Sequence, residues 1–352
     1  MGTGNWELRI NNKITMRYDC ITMGDSFEDV FVVPEEAKIR HDGAFASGMS
    51  LSFELGDKIA LDQVDYEIGG SACNVAVGLS RLNLNSSVVS IVGEDTPAVK
   101  VRERLENEGV DKSHLIVDKK MKTNFSVIFR TDKGRTIFIY HGSKDYSNLR
   151  IKKTLRSDWI FLGPTGQNTN DLHKDIVSKI SEQSSKFAWN PGTLQIKDGA
   201  EKYKNLLKNC SVLFVNREEA IEFINFPVRP NDDELLKRLH MLGPKIVIIT
   251  YGKKGARAFD GKNFYEVGSL DVVRIDSTGA GDAFSTGFLG NLICNKIDFA
   301  NIDTEIISQA LRWGIFNSNS VITKIGAQPG LLTLKEIERD SEENKRLKVT
   351  IG

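Results

Sequence analysis

The chain has 352 residues, 40% of them apolar and 27% charged, with 47 acidic and 47 basic side chains. That length holds one large domain or a domain with a small appendage, and the composition is that of a globular protein with a sizeable core. Balanced charge supplies no overall field for nucleic acid or an anionic membrane surface, and no apolar stretch approaches the roughly 20 residues that span a bilayer.

Residues 1–17 are polar and weakly patterned and read as an N-terminal extension. They lack the apolar run of a secretory signal, and Trp6 stands where a myristoylation motif needs Ser or Thr, so a cytoplasmic protein is expected. The first strand is predicted over 18–23, stopping at Gly24-Asp25, and a second over 30–33. Residues 37–58 contain Gly43, Gly48 and Gly56 in mixed polarity and read as an irregular insertion, after which 59–68 is extended again. Val75, Ala76, Leu79 and Leu82 recur at helical spacing and predict a helix over 74–82. A buried strand over 87–92 and a charged helix over 99–108, ended by Gly109, come next. Strands over 125–130 and 136–141 flank Lys133-Gly134 as a β-hairpin.

Beyond the hairpin the pattern alternates. Strands are predicted over 159–162, 186–189, 212–215 and 246–250, and helices over 171–184 and 232–242. Such alternation predicts an α/β protein with a parallel sheet and right-handed crossovers. Helices dominate 283–292 and 305–321, and the charged residues from Lys335 onward form a surface helix or tail. Cys20, Cys73, Cys210 and Cys294 are far apart and form no C-x-x-C pair, so buried or incidental thiols are expected rather than a disulfide or zinc framework. The five histidines show no metal-binding spacing.

The most informative segment is Asp276-Ser277-Thr278-Gly279-Ala280-Gly281-Asp282, directly before a helical run. Small residues let a backbone approach a phosphate, and a helix N-terminus offers unpaired N–H groups and a positive dipole end. The dipole favours the ionised form of Asp282, which beside an anion hole can take a proton from a hydroxyl, as phosphoryl transfer requires. On this segment alone, an N-capping Asp282 and a merely tight glycine loop explain it equally well. Neither G-x-x-x-x-G-K-[ST] nor a helix-opening G-x-G-x-x-G after the first strand is present, which disfavours a P-loop enzyme and a dinucleotide-dependent dehydrogenase.

Asp276 to Asp282 resembles the D-[ST]-x-G-A-G-D signature of the ribokinase family, also called the PfkB carbohydrate kinases. Gly69-Gly70-Ser71-Ala72-Cys73-Asn74-Val75-Ala76 resembles that family's other signature, a Gly-Gly pair followed by Asn in a small-residue helix, and the two stand in the family's order. The resemblance covers roughly residues 18–335 and leaves 336–352 as a charged C-terminal tail. It implies a three-layer α/β/α core with a central, mostly parallel sheet, and a small β-sheet lid from the strands near 30–33, 59–68, 125–130 and 136–141. It also implies transfer of the γ-phosphate of ATP to an alcohol, with Asp282 as general base and the N–H groups of Gly279, Ala280 and Gly281 as anion hole.

Other positions carry over one by one. Gly24 and Asp29 resemble a G-x-x-x-x-D turn whose Asp binds acceptor hydroxyls, with Asp25 a competitor for that role. Gly69, Gly70 and Asn74 resemble further acceptor contacts. Asn216-Arg217-Glu218-Glu219 resembles an N-x-x-E motif, so Asn216 and Glu219 are expected to organise Mg2+ through waters. Thr250-Tyr251-Gly252-Lys253-Lys254-Gly255 resembles the T-x-G-x-x-G turn beside the nucleotide, giving Thr250, Gly252, Gly255 and Thr278 as ATP contacts, with Lys253 either reaching a phosphate or solvated. Gly326-Ala327-Gln328 resembles a late loop that, with the backbone of Asp276 to Thr278, can hold a monovalent cation such as K+.

The chain also departs from the family. The stretch from Asp29 to Gly69 is longer than in bacterial ribose kinases, Thr96-Pro97-Ala98 follows the Val92-Gly93-Glu94-Asp95 turn where Gly is frequent, and Ile315 stands where Asn often meets adenine. The acceptor therefore stays open between a sugar, as in ribokinases and fructokinases, and a nucleoside. Residues 69–72 resemble adenosine kinases, and Phe45 and Phe53 either stack on a purine or belong to the core. A third reading, an inactive sugar- or nucleotide-binding regulatory protein, is disfavoured by the intact Asp282 and glycine turn. No nucleic-acid or membrane partner is expected, and the resemblance makes a homodimer through the lid plausible.

Overall fold

The computed structural model describes residues 17–45, 47–226, 231–343 and 347–352; residues 1–16 of the expected N-terminal extension lie outside them. The chain opens with β1 (Arg17–Met23), β2 (Phe27–Pro34), β3 (Lys38–His41), β4 (Met49–Ser52) and β5 (Leu61–Gly69). Then come α1 (Ser71–Arg81), β6 (Ser86–Val89), β7 (Ile91–Val92), α2 (Thr96–Asn107), β8 (Ile116–Val117), β9 (Asn124–Thr131) and β10 (Gly134–Tyr140). The middle of the chain holds β11 (Arg156–Leu162), α3 (Asn170–Gln183), β12 (Lys186–Trp189), α4 (Thr193–Asp198), α5 (Lys204–Lys208), β13 (Val212–Asn216) and α6 (Arg217–Phe223). It ends with α7 (Asp232–Met241), β14 (Ile246–Thr250), β15 (Ala256–Phe259), β16 (Phe264–Val267), α8 (Ala280–Cys294), α9 (Thr304–Val321), α10 (Leu334–Glu343) and β17 (Val349–Ile351).

Nine strands form the central sheet in the order β17-β16-β15-β14-β13-β12-β11-β1-β6. From β6 to β14 all neighbours are parallel, and the β14, β15, β16 and β17 edge is antiparallel. Its strands read as unbroken apolar runs because both faces are covered. Ile21, Leu162, Trp189, Leu213 and Val247 pack on one face against the side of α3, α5 and α7. Their neighbours Cys20, Phe161, Ala188, Val212 and Ile246 pack on the other, against Phe284, Phe288 and Leu311 of α8 and α9. This period-two division makes the three-layer α/β/α core.

The second sheet has four strands in the order β10-β9-β2-β5. Its outer pairs are antiparallel, but β2 and β9 run parallel, setting Asp29 opposite Ser126. All four predicted lid segments fall within it.

Three places differ from the sequence reading. The irregular insertion contains a hairpin, β3 with β4, that buries no residue fully and so leaves no hydrophobic period to read. The single strand predicted over 87–92 breaks at Ser90, whose hydroxyl leaves the ladder to donate to the Gly24 carbonyl at 2.6 Å. The charged C-terminal stretch contains α10 and then β17, which pairs with β16 at the sheet edge. Cys20, Cys73 and Cys210 are buried, Cys294 is exposed, and all four are free thiols.

Helices α8 and α9 touch without intervening side chains at Gly287, where a Cβ would collide with the Trp313 carbonyl. Gly287→Ala is therefore expected to lose about 1–3 kcal/mol of stability despite the better helix propensity of alanine. Urea unfolding checks it, and an unchanged midpoint would show that the two helices can part.

Candidate active site

A cavity of about 660 Å³ opens at the carboxyl ends of the parallel strands, between them and the small sheet. Asp25 follows β1, Thr165 follows β11, Asn190 follows β12 and Glu219 lies just past β13; Ser126, Ile137 and Ile139 come from the small sheet. Asp29, Gly70, Asn74, Thr278, Gly279 and Asp282, all singled out in the sequence, line the same space.

The two signatures meet at the Asp282 carboxylate. Asn74 of α1 donates from Nδ2 to Asp282 Oδ2 at 2.8 Å, and its Oδ1 accepts from Gln328 Nε2 at 3.0 Å. The chain must pass tightly on either side of that contact. Gly70 has a φ of +89° with its missing Cβ against the Asp25 carbonyl, and Gly279 has a φ of +74° with its missing Cβ against Ala327. A Cβ on Gly69 would collide with the Asp29 carboxylate.

Gly279, not Asp282, is the N-cap of α8, and no side chain caps that end. Asp282 is the third helical residue, partly exposed to the cavity. The capping explanation therefore does not hold. The dipole argument is also outweighed. Burial pushes the Asp282 carboxyl above the usual carboxylate range, and the bonds from Asn74 and Ser71 only oppose that shift.

Two more aspartates face the cavity. Asp29 accepts from the Ser126 hydroxyl at 2.5 Å, and burial pushes its carboxyl up to about 6, with the charges of Asp276, Asp282 and Glu67 adding to the effect. Asp25 accepts from the Tyr146 hydroxyl and is pushed up to about 7 by burial. Tyr146, in turn, accepts from Asn124 Nδ2 at 3.3 Å. Sequence reasoning missed Ser126, Asn124 and Tyr146; their only local signal is polarity inside or beside a predicted hairpin.

Asn216 and Glu219 cap α6 reciprocally. Asn216 Oδ1 accepts from the Glu219 N–H at 2.8 Å, and Glu219 Oε2 accepts from the Asn216 N–H at 2.9 Å. Glu219 also lines the cavity, and burial, then the Glu218 and Asp282 charges, raise its carboxyl. Thr250 sits opposite Asn216 in the β13–β14 register. Gly252 and Gly255 follow with φ of +56° and +93°. Asn216, Thr250, Gly252 and Gly255 do not line the cavity that holds Asp282; they occupy the two neighbouring strand ends.

Asp276 is buried and accepts four bonds. Its Oδ1 takes the Thr278 N–H at 3.1 Å, the Thr278 hydroxyl at 2.9 Å and Arg135 Nη1 at 3.3 Å, and its Oδ2 takes the Gly326 N–H at 3.3 Å. Ala280 and Gly281 complete the turn, and a Cβ on Gly281 would meet nothing. Phe53 packs its ring 5.7 Å from that of Phe129 and does not line the cavity; nor does Phe45. Among the described residues no group of three or more His, Cys, Asp or Glu is placed to hold a metal, and no helix is long and apolar enough to cross a membrane.

The model of the pfkB family carbohydrate kinases matches residues 45–330. The chain is 26% identical over 295 residues to 5-dehydro-2-deoxygluconokinase of Geobacillus kaustophilus, covering 79% of this chain and 85% of that one. Its fold is that of the nucleoside kinase of Methanocaldococcus jannaschii, an archaeal member of the ribokinase family, with a TM-score of 0.72 at 21% identity over 93% and 99% of the two chains. It is equally like the Arabidopsis thaliana ribokinase solved with ribose and ATP, with a TM-score of 0.72 at 18% identity over 92% and 98%.

The raised Asp25 carboxyl gives a pH signature. A folded-state value of about 7 against an unfolded value near 3.8 means that Asp25 favours the fold at low pH and that this contribution is lost as pH rises through about 7. Asp25→Asn keeps an acceptor for Tyr146 and cannot ionise. Its melting temperature relative to the parent chain should therefore rise between about pH 5 and about pH 8. A difference independent of pH would show that Asp25 is not desolvated as described.

Proposed function

This chain belongs to the pfkB family of carbohydrate kinases, and we propose that it moves the γ-phosphate of ATP onto a hydroxyl of a small sugar held in the cavity beneath the small sheet. The observation that carries the proposal is the Asn74–Asp282 contact at the head of α8, beside a glycine turn that can hold a phosphoryl group. Asp29, with Ser126 behind it, orients the acceptor, and the absent side chains of Gly69 and Gly70 let the Asp29 carboxylate and the Asp25 carbonyl pack close against that turn. Asp282 takes the hydroxyl proton as the new O–P bond forms. Its raised proton affinity suits a base, and Asn74 and Ser71 hold it in place without neutralising it. The N–H groups of Gly279, Ala280 and Gly281 stabilise charge on the transferring group.

Thr250, Gly252 and Gly255 flank the ATP on the side of the neighbouring strand ends, and Thr278 meets it from the turn that lines the cavity. Magnesium carried with ATP would be held near Asn216 and Glu219 and would supply charge neutralisation for the leaving phosphates. The donor set here fits a water-mediated ion, because Glu219 brings one carboxylate into the cavity and Asn216 spends its carbonyl oxygen on the α6 cap. The small sheet excludes water that would otherwise compete as acceptor.

Phe45 and Phe53 lie outside the cavity, but Phe27 and His141 line it, so the preference for a sugar rests on the family and on its sugar-kinase relatives rather than on a lack of aromatics. On the far face of the small sheet Tyr66, Phe138 and Tyr140 are exposed, and a second copy of this chain is the proposed occupant. Sedimentation velocity tests that pairing, which a monomer at micromolar concentration would rule out.

ATP consumption against pentoses, hexoses, sugar phosphates and nucleosides tests the reading, and a response to nucleosides alone would replace the sugar. With the acceptor found, Asp282→Asn should lower kcat by roughly 10²-fold or more while the melting temperature holds. Near-normal turnover in that variant would remove Asp282 from the mechanism.

A further inference from the structure

The resemblance places a monovalent cation on the backbone of residues 276–278, and the buried Asp276 carboxylate beside that backbone is already engaged by protein donors. Oδ1 already receives the Thr278 N–H, the Thr278 hydroxyl and the Arg135 guanidinium, and Oδ2 receives the Gly326 N–H. Arg135 comes from β10, in the hairpin at the edge of the small sheet, and its Nη1 also bonds the Ser277 hydroxyl. Its register partner Arg130 donates to the Ile275 carbonyl at 3.4 Å. The small sheet thus holds three successive residues, 275–277, immediately ahead of the glycine turn. On the other side of Asp276, the sheet's β5 lays the Glu67 stem where a Cβ on Gly326 would lie, and Glu67 is paired with Arg104 at 2.9 Å.

We propose that Arg135 supplies, from the small sheet, the positive charge that a bound monovalent cation would otherwise supply at Asp276, so that covering the acceptor and ordering the phosphate-binding turn are one event. A buried carboxylate needs a compensating partner. A hydrated ion is available whether the sheet is closed or not, whereas a guanidinium on β10 reaches Asp276 only when the hairpin is seated. One guanidinium nitrogen, Nη1, donates to both Asp276 and Ser277, which ties the carboxylate and the next residue of the turn to the same side chain. Arg135 is a positioning residue. It touches neither the reacting hydroxyl nor Asp282, and acts through the backbone of residues 276–279.

This inference rests on the kinase reading, so its test includes a measurement that needs no acceptor. ATP binding is followed by calorimetry in KCl and in tetramethylammonium chloride at equal ionic strength, for the parent chain, Arg135→Met and Arg135→Lys. The parent chain should bind equally in both salts. Arg135→Met should bind more weakly and recover with K+ or with free guanidinium ion, and Arg135→Lys should fall between. Superimposable melting curves confirm that the variants are folded. In turnover, Arg135→Met should lose roughly 10- to 100-fold in kcat, as for a displaced turn. A parent chain that itself depends on K+, or an Arg135→Met chain that binds ATP like the parent in both salts, would overturn the proposal. ATP binding with no acceptor turned over would instead count against the kinase reading, while the calorimetric comparison would still decide the role of Arg135.

Discussion

The site depends on how closely α1 and α8 approach. Asn74, Gly78 and Leu82 follow one another along α1 at four-residue steps, and Asp282, Thr286 and Gly290 do the same along α8. A Cβ on Gly78 would collide with the Thr286 side chain, and a Cβ on Gly290 with that of Leu82. Rows of this spacing pack as ridges into grooves, and small residues in the rows bring the axes together. Only at that separation can a short amide on α1 reach a carboxylate on α8, across 208 residues of sequence. The Thr286 hydroxyl then bonds back to the Asp282 carbonyl at 2.8 Å, so the contact row is itself tied to the residue it positions. A larger side chain at Gly78 would separate Asn74 from Asp282 without touching either one.

The partners of the cavity carboxylates explain why these groups stay basic. Asp25, Asp29 and Asp282 are each held by neutral donors, from Tyr146, Ser126 and Asn74 respectively. Neutral donors fix a carboxylate in place but counter only part of the desolvation that raises its proton affinity, whereas an adjacent cation would lower that affinity. Asp276 differs in its donors: it receives a guanidinium, a hydroxyl and two backbone N–H groups. The same acidic neighbourhood is therefore divided by donor type into groups suited to accepting protons and hydroxyls and one group that anchors a turn.

Much of this was legible in the sequence where the pattern was driven by burial on both faces or by steric demand for glycine. Strands 186–189 and 246–250 match the observed bounds because their continuous apolar runs admit no other placement. Gly70 and Gly279 announce themselves because no other residue fits their backbone. The β3–β4 hairpin and the β15, β16 and β17 edge were not legible, since their strands are short and weakly or unevenly patterned. Asp282 shows the subtler limit. Its position at a helix start was readable, but its proton affinity is raised by burial in the folded chain, which local dipole reasoning does not include. Ser126 and Arg135 were invisible for the same reason: each acts on a residue more than 90 positions away.

The pleat of the small sheet carries these roles together. Asp29, Ser126 and Ile139 lie across it in one register row and face the cavity, while Tyr66, Val30, Val127 and Phe138 form the next row on the opposite face. Because β2 runs parallel to β9, Asp29 lies directly beside Ser126 and its carboxylate is held at the sheet rather than on a free loop. The alternation that gives one row to the acceptor gives the other to an apolar surface, and a slip of one residue would exchange them. Register is fixed at both ends, by the Gly69–Asp29 contact where β5 meets the core and by Arg130 and Arg135 where the hairpin meets residues 275–277. A sheet pinned at these two points joins the cavity lining to the turn that precedes α8, so on the proposed reading a displacement of its inner row is carried to that turn.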